Sequence, residues 1–170
     1  IAASVAPARL GSSVILIERT KHIGGLPANG LGVTDIVTRE TIGGIFREFI
    51  GHVSDHYTRT YGANSQQLAD SDGGYRFEPS VAEGIFERMV AAEPRIILLR
   101  QYQFDGEAEG KDNRLLSIAV RHRENGGTLR LRADVFIDAT YEGDLAAAAG
   151  VPYRIGREGR DETGEPYAGV

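Results

Sequence analysis

Val14-Ile15-Leu16-Ile17-Glu18-Arg19-Thr20-Lys21-His22-Ile23-Gly24-Gly25 decides the reading of this chain. Four apolar, mostly β-branched residues run without a break, bounded by Gly11-Ser12-Ser13 before and by polar residues after. A run of that length and composition reads as a short strand buried on both faces. It ends in a carboxylate, Glu18. In a doubly wound dinucleotide fold, an acid at the end of the second strand accepts hydrogen bonds from the adenosine ribose hydroxyls. Upstream, Ile1 to Leu10 is small and apolar and Gly11 follows, which suits a helix packed close to a sheet and stopped by a glycine. Pro7 falls inside that helix, so a kink or a restart is expected there. Helix, glycine, buried strand and acid make the back half of a βαβ nucleotide-binding unit. The front half, with its G-x-G-x-x-G turn, is not among the 170 residues, so the chain reads as one that starts inside the first helix. An ordinary α/β helix–strand pair is the alternative reading of the same stretch.

Composition narrows the function classes. A hydrophobic fraction of 41% with 25% charged residues is that of a globular domain, and the length suits one domain with a core. No apolar run reaches the roughly 18 residues of a membrane span. The chain has no cysteine, which excludes disulfides, thiolate metal sites and a redox-active cysteine pair within it. Net charge is −5, and the basic residues are scattered arginines with only Lys21 and Lys111 beside them, so no nucleic-acid surface is expected.

The loop from Thr20 to Asp35 holds Gly24, Gly25, Gly30 and Gly32, and ordered loops of this length usually serve a function. Ile42, Ile45, Phe46, Phe49, Ile50, Val53 and Tyr57 then keep helical spacing, which predicts an amphipathic helix over about Thr38 to Tyr61. His52 and His56 are four apart on it. No third ligand accompanies them at a recognisable spacing, so no metal site is expected. Gly62 to Phe77 reads as a loop around Asp70-Ser71-Asp72-Gly73-Gly74. Glu78-Pro79-Ser80-Val81-Ala82-Glu83 opens a helix, with Pro in the first turn and Ser80 and Glu83 spaced as a capping box. Its buried face is expected from Val81, Ile85, Phe86, Met89 and Val90, and Ile96 to Leu99 is the next buried strand. From about Tyr102 to Arg132 the pattern changes to a three-stranded antiparallel meander with a hairpin turn at Asn125-Gly126-Gly127. Val135 to Ile137 reads as a last parallel strand ending at Asp138-Ala139-Thr140. Ligands of open α/β sheets bind beyond the carboxyl ends of strands, which puts Glu18 and Ala139-Thr140 on one edge. Asp144 is placed to cap a helix Leu145 to Ala149, stopped by Gly150.

Three stretches carry a resemblance: Glu18 to Asp35, with its acid followed by Gly24-Gly25; Val135 to Tyr153, containing Asp138-Ala139-Thr140; and Gly156 to Pro166. In this order they resemble the FAD-dependent oxidoreductases related to the glutathione-reductase superfamily, more narrowly a bacterial group of them. The resemblance implies a Rossmann-like α/β FAD-binding domain over residues 1–150, incomplete at its first strand, with the meander over 102–132 as an insertion. Residues 151–170 would begin a substrate-side catalytic segment. It implies FAD as the cofactor and as the partner of Glu18, with Arg19 beside it. Gly24 and Gly25 would pass near the pyrophosphate and ribityl chain, and Leu26, Asn29 and Gly30 would approach the flavin ring. Backbone around Gln103 would meet the adenine, and Ala139, Thr140 and Asp144 would complete the cofactor set. Tyr141 stands where the family usually has a glycine.

The function so implied is hydride transfer between an unidentified small-molecule substrate and the flavin, with no acid, base or nucleophile assignable from these residues. A chain read this way, without the Gly-rich turn, is expected to hold FAD poorly by itself. A nicotinamide-dependent dehydrogenase and a non-catalytic dinucleotide-binding or interaction module are the alternatives. The glycine pair after the acid and the inserted meander favour FAD over the nicotinamide reading.

Overall fold

The structure, a computed structural model, describes residues 1–112 and 114–169. Helix α1 (Ala2–Arg9) leads into strand β1 (Val14–Glu18). A long segment with short 3-10 turns at Leu26–Ala28 and Arg39–Thr41 follows, then α2 (Gly44–Tyr61), α3 (Gln66–Asp70), a turn at Asp72–Gly74, α4 (Pro79–Ala91) and β2 (Ile96–Arg100). Strands β3 (Tyr102–Lys111), β4 (Arg114–His122) and β5 (Thr128–Arg132) come next, then short helices α5 (Asp144–Ala148) and α6 (Arg160–Thr163). β1 and β2 pair in parallel, Val14 with Ile96 through Glu18 with Arg100. The other three strands form a second sheet in the order β3-β4-β5, the expected meander. The architecture is therefore mixed α/β.

Two compact units are present: Ile1–Gln103 with Arg121–Thr128, and Phe104–Val120 with Leu129–Val170. The first holds the main core. Phe49 of α2 lies at its centre, stacked on Phe86 of α4 with ring centroids 4.5 Å apart and edge-on to Phe77 at 5.3 Å. Val5 of α1, Val53 of α2 and Ile85 of α4 close around it, with Leu16, Ile96 and Leu98 packed from the sheet. Polar ties lock the helices at their margins. The Arg9 guanidinium takes both oxygens of Glu48, at 2.6 and 2.8 Å, and Glu93 at 2.6 Å, joining α1 to α2 and to the turn after α4. The Arg9 hydrogen bonds hold the Glu48 carboxyl below its ordinary pKa. The buried Tyr57 hydroxyl donates to Glu78 and accepts the Glu78 backbone N–H at 3.1 Å, pinning α2 to the start of α4.

Several local expectations need correction. The β1 strand is not buried on both faces: Ile15 is 41% exposed, and its ladder neighbour Ile97 60%. Alternate residues point to opposite faces of a strand, and the helices cover only the face carrying Leu16, Ile96 and Leu98. α1 does not restart at Pro7, which lies inside one continuous helix that ends at a Leu10 cap ahead of Gly11, φ +95°. α2 begins at Gly44 rather than Thr38, since Gly43 is extended and Gly44 adopts φ +56°. The loop Gly62 to Phe77 contains α3, capped by the Ser65 hydroxyl on Leu68 N–H at 3.2 Å. α4 starts on Pro79 as expected, but no capping box forms: Glu78 is the cap residue and Glu83 turns instead to His22.

The second unit is built on the meander. Ser117, Ile118, Ala119 and Val120 of β4 are buried. Arg130 of β5 reaches across to Glu107 of β3 at 2.9 Å and to Ser117 at 3.3 Å. Val135 to Ile137 is not a strand. It has no ladder partner among the described residues, and Val135 and Ile137 are 73% and 59% exposed. Backbone groups without a partner strand stay with solvent however β-prone the side chains are.

Candidate functional site

The carboxyl ends of β1 and β2 meet at Glu18 and Arg100, which are ladder neighbours. Glu18 Oε1 accepts the backbone N–H of Thr20 at 2.7 Å and its hydroxyl at 2.9 Å. Thr20 Oγ1 accepts the His22 N–H at 3.1 Å, so one threonine folds the chain into a tight turn directly after the strand. Glu18 Oε2 has no hydrogen-bond partner among the described residues. A half-buried carboxylate with one oxygen fixed by its own turn and the other open can accept hydrogen bonds from vicinal hydroxyls.

The surroundings converge on this acid. Gln101, in the left-handed region at φ +61°, donates its N–H to the Thr20 carbonyl at 3.1 Å. Arg100 reaches the Lys21 carbonyl at 2.9 Å, and Arg123 the Arg19 carbonyl at 3.1 Å. Lys21 pairs with Glu124 at 3.1 Å. The chain from Glu18 to Lys21 is thus held against Arg100 and Gln101 and against Arg123 and Glu124. Gln103 lies three residues past the end of β2, on β3, and Arg19 is exposed directly after Glu18.

The glycine loop continues from the same turn and is anchored on α4. His22 Nδ1 lies 2.8 Å from Glu83, and Ile23 is buried. Gly24 and Gly25 have φ of +112° and +62°. A Cβ on Gly24 would stand 2.3 Å from a ring carbon of Phe86, so this glycine is required by the core beneath the loop. The 3-10 turn Leu26–Ala28 then packs on α4, and Asn29 Nδ2 donates to the Gly25 carbonyl at 2.8 Å, closing the loop on itself. Leu26, Asn29 and Gly30 lie exposed on its outer side. Beyond it, Phe77 N–H donates to the Gly32 carbonyl and Val33 bridges Arg76, stitching the loop's far end to the approach to α4.

Ala139, Thr140 and Asp144 lie in the second unit. Their arrangement depends on a residue outside the expected set, Asp138. Its Oδ1 accepts the Thr140 N–H at 3.0 Å and hydroxyl at 2.7 Å, and its Oδ2 accepts the Ala146 N–H at 3.0 Å. Thr140 Oγ1 in turn accepts the Gly143 N–H at 2.9 Å. Burial works to raise the Asp138 pKa, but these hydrogen bonds outweigh it and hold the carboxyl below the ordinary range. Asp144 is therefore not the cap of α5. Gly143, at φ +72°, occupies the cap position, and Asp138, six residues before Asp144, binds the first-turn amides. The signal was in the sequence as an Asp two residues ahead of a Thr, the pattern of an Asx turn. Without a strand at 135–137, the strand-end argument for Ala139-Thr140 also falls.

The acceptors at Glu18 fit the ribose arm of a dinucleotide: a carboxylate oxygen without a partner among the described residues and backbone from the neighbouring strand end. His52 and His56 lie elsewhere, on α2; His52 faces Glu48 at 3.6 Å and His56 stands edge-on to Tyr57. No helix is long and apolar enough to cross a membrane among the described residues.

No curated protein and no solved structure matches the chain. The model of one family, described as FAD dependent oxidoreductase, matches residues 1–170, the whole length of the sequence. With FAD as that family's cofactor, the chain belongs to the FAD dependent oxidoreductases.

Proposed function

We propose that this chain binds the adenosine end of FAD at the carboxyl edge of β1 and β2, as part of an enzyme that transfers hydride between a small-molecule substrate and the flavin. The observation that carries the reading is Glu18, whose Oε1 is committed to Thr20 and whose Oε2 remains open. In this reading Glu18 accepts the ribose hydroxyls, and backbone around Gln103 borders the adenine. Arg19 flanks the acid. The loop Gly24-Gly25-Leu26, with Asn29 and Gly30, carries the chain toward the pyrophosphate and flavin. Ala139, Thr140 and Asp144, on the turn that Asp138 organises, are the further cofactor residues of this reading. Residues 1–150 then form a Rossmann-like FAD-binding region and 151–170 the start of a substrate-side segment. The flavin supplies the two-electron chemistry when bound, and these residues supply binding and orientation.

Charge-assisted hydrogen bonds contribute about 1.5–3 kcal/mol each, so Glu18→Ala is expected to weaken FAD binding by about tenfold or more. Titration of the purified protein with FAD, followed by the flavin absorbance band, measures this. Glu18→Gln, which keeps the turn acceptor but loses the charge, should fall between. Equal FAD affinity in wild type and Glu18→Ala removes the assignment, and preferential binding of a nicotinamide dinucleotide would favour the dehydrogenase reading.

A further inference from the structure

A second polar hollow lies on the other helices of the first unit, in a place the cofactor reading does not use. His52, Asp55, His56, Arg59 and Thr60 line it from α2, and Arg88 lines it from α4. Spacings of three, four, seven and eight residues put the α2 side chains on one helical face. The hollow measures about 240 Å³. Asp55 engages Arg59 at 3.7 Å, while Arg88 makes no ion pair among the described residues. Counting Arg59 and Arg88 against Asp55 leaves one net positive charge with both imidazoles neutral, on a chain whose net charge is −5.

We propose that this hollow is a binding site for a small phosphate monoester. The donors decide the ligand class. Two guanidinium groups, two imidazoles and the Thr60 hydroxyl line it with one carboxylate among them. A phosphate monoester, with three outer oxygens and a charge near −2, can use such a set, whereas a carboxylate offers only two oxygens and one charge. The volume admits a phosphoryl group with a few carbon atoms and is too small to bury a dinucleotide, which separates this site from the one at Glu18. Arg88 is the anchor: it alone comes from α4, and a ligand held by it and by Arg59 spans the two helices. Arg59 is recruited from Asp55, a solvent-exposed pair at 3.7 Å that contributes little by itself.

The test uses the four histidine rings as reporters, two in the hollow and two outside it. Ring C–H signals of His52, His56, His22 and His122 are followed by NMR as inorganic phosphate is added at constant ionic strength, with acetate as the comparator. The expected result is a saturable shift of His52 and His56 with Kd in the low millimolar range, about −3 to −4 kcal/mol, and little change at the other two. Arg88→Gln, which keeps most of the side-chain stem, should weaken that binding about fivefold or more. Arg59→Gln should weaken it as well, and FAD affinity should stay unchanged in both variants. Equal, non-saturating shifts at all four rings would overturn the proposal, as would unaltered phosphate affinity in Arg88→Gln. Tighter binding of acetate than of phosphate would overturn the ligand class. Loss of FAD binding in Glu18→Ala with intact phosphate shifts would leave both sites standing as separate.

Discussion

Replacing Gly24 by alanine isolates what holds the cofactor loop in shape. Two costs are expected. The first is backbone: at φ +112° an alanine is forced into a region that L-residues rarely occupy, at about 1–3 kcal/mol. The second is packing. The new methyl would sit 2.3 and 2.8 Å from two ring carbons of Phe86 and 3.2 Å from the Ala28 methyl. Phe86 cannot swing away cheaply, because its ring stacks at 4.5 Å on Phe49 in the centre of the core. Overpacking of a filled core costs about 1–3 kcal/mol. Together they predict about 2–6 kcal/mol of lost stability for Gly24→Ala. Gly30→Ala serves as the control. Its φ is +125°, but a Cβ there meets nothing within 4 Å, so only the backbone cost applies. Urea unfolding of both variants, compared at unchanged m, should show Gly24→Ala the less stable by the packing cost, about 1–3 kcal/mol. Adding Phe86→Leu to Gly24→Ala should recover part of that difference, read as a coupling energy in a double-mutant cycle. Equal destabilisation by Gly24→Ala and Gly30→Ala, or no coupling to Phe86, would refute the claim that this glycine is required by the core.

Two further outcomes follow from the polar ties. Tyr57→Phe removes the hydroxyl that accepts the Glu78 N–H and donates to its carboxylate, leaving that amide unpaired at the start of α4. A loss of about 1–3 kcal/mol in urea unfolding is expected, and a loss below about 0.5 kcal/mol would show that solvent replaces the bond. Asp138, whose pKa is lowered in the folded chain, contributes its stabilisation above the ordinary aspartate value of about 3.9 and loses it as pH falls through the lowered value. Amide exchange at Thr140 and Ala146 should accelerate across that acid window beyond the intrinsic rate, and Asp138→Asn should weaken the pH response. Unchanged protection of both amides through the acid range would show that the carboxylate does not hold the turn.

The sequence by itself was enough for several features that depend on near neighbours. The helix before Gly11, the strand run ending at Glu18, the amphipathic stripe from Ile45 to Tyr57, Pro79 opening α4 and the Asn125-Gly126-Gly127 turn are all local patterns of apolar spacing and backbone preference. The order acid, glycine pair, Asp138-Ala139-Thr140 was likewise legible, and it pointed to the family. What only the tertiary structure decided is which groups find partners across the chain. Glu83 left its capping box for His22, sixty-one residues away, because the loop after β1 lies over α4. Asp138 rather than Asp144 took the α5 amides. Val135 to Ile137 has strand composition, yet a strand exists only where another lies alongside to complete its hydrogen bonds. Ile15 and Leu16 are nearly the same to a pattern reader. One is exposed and the other packed because the pleat points them to opposite faces and helices cover only one of those faces.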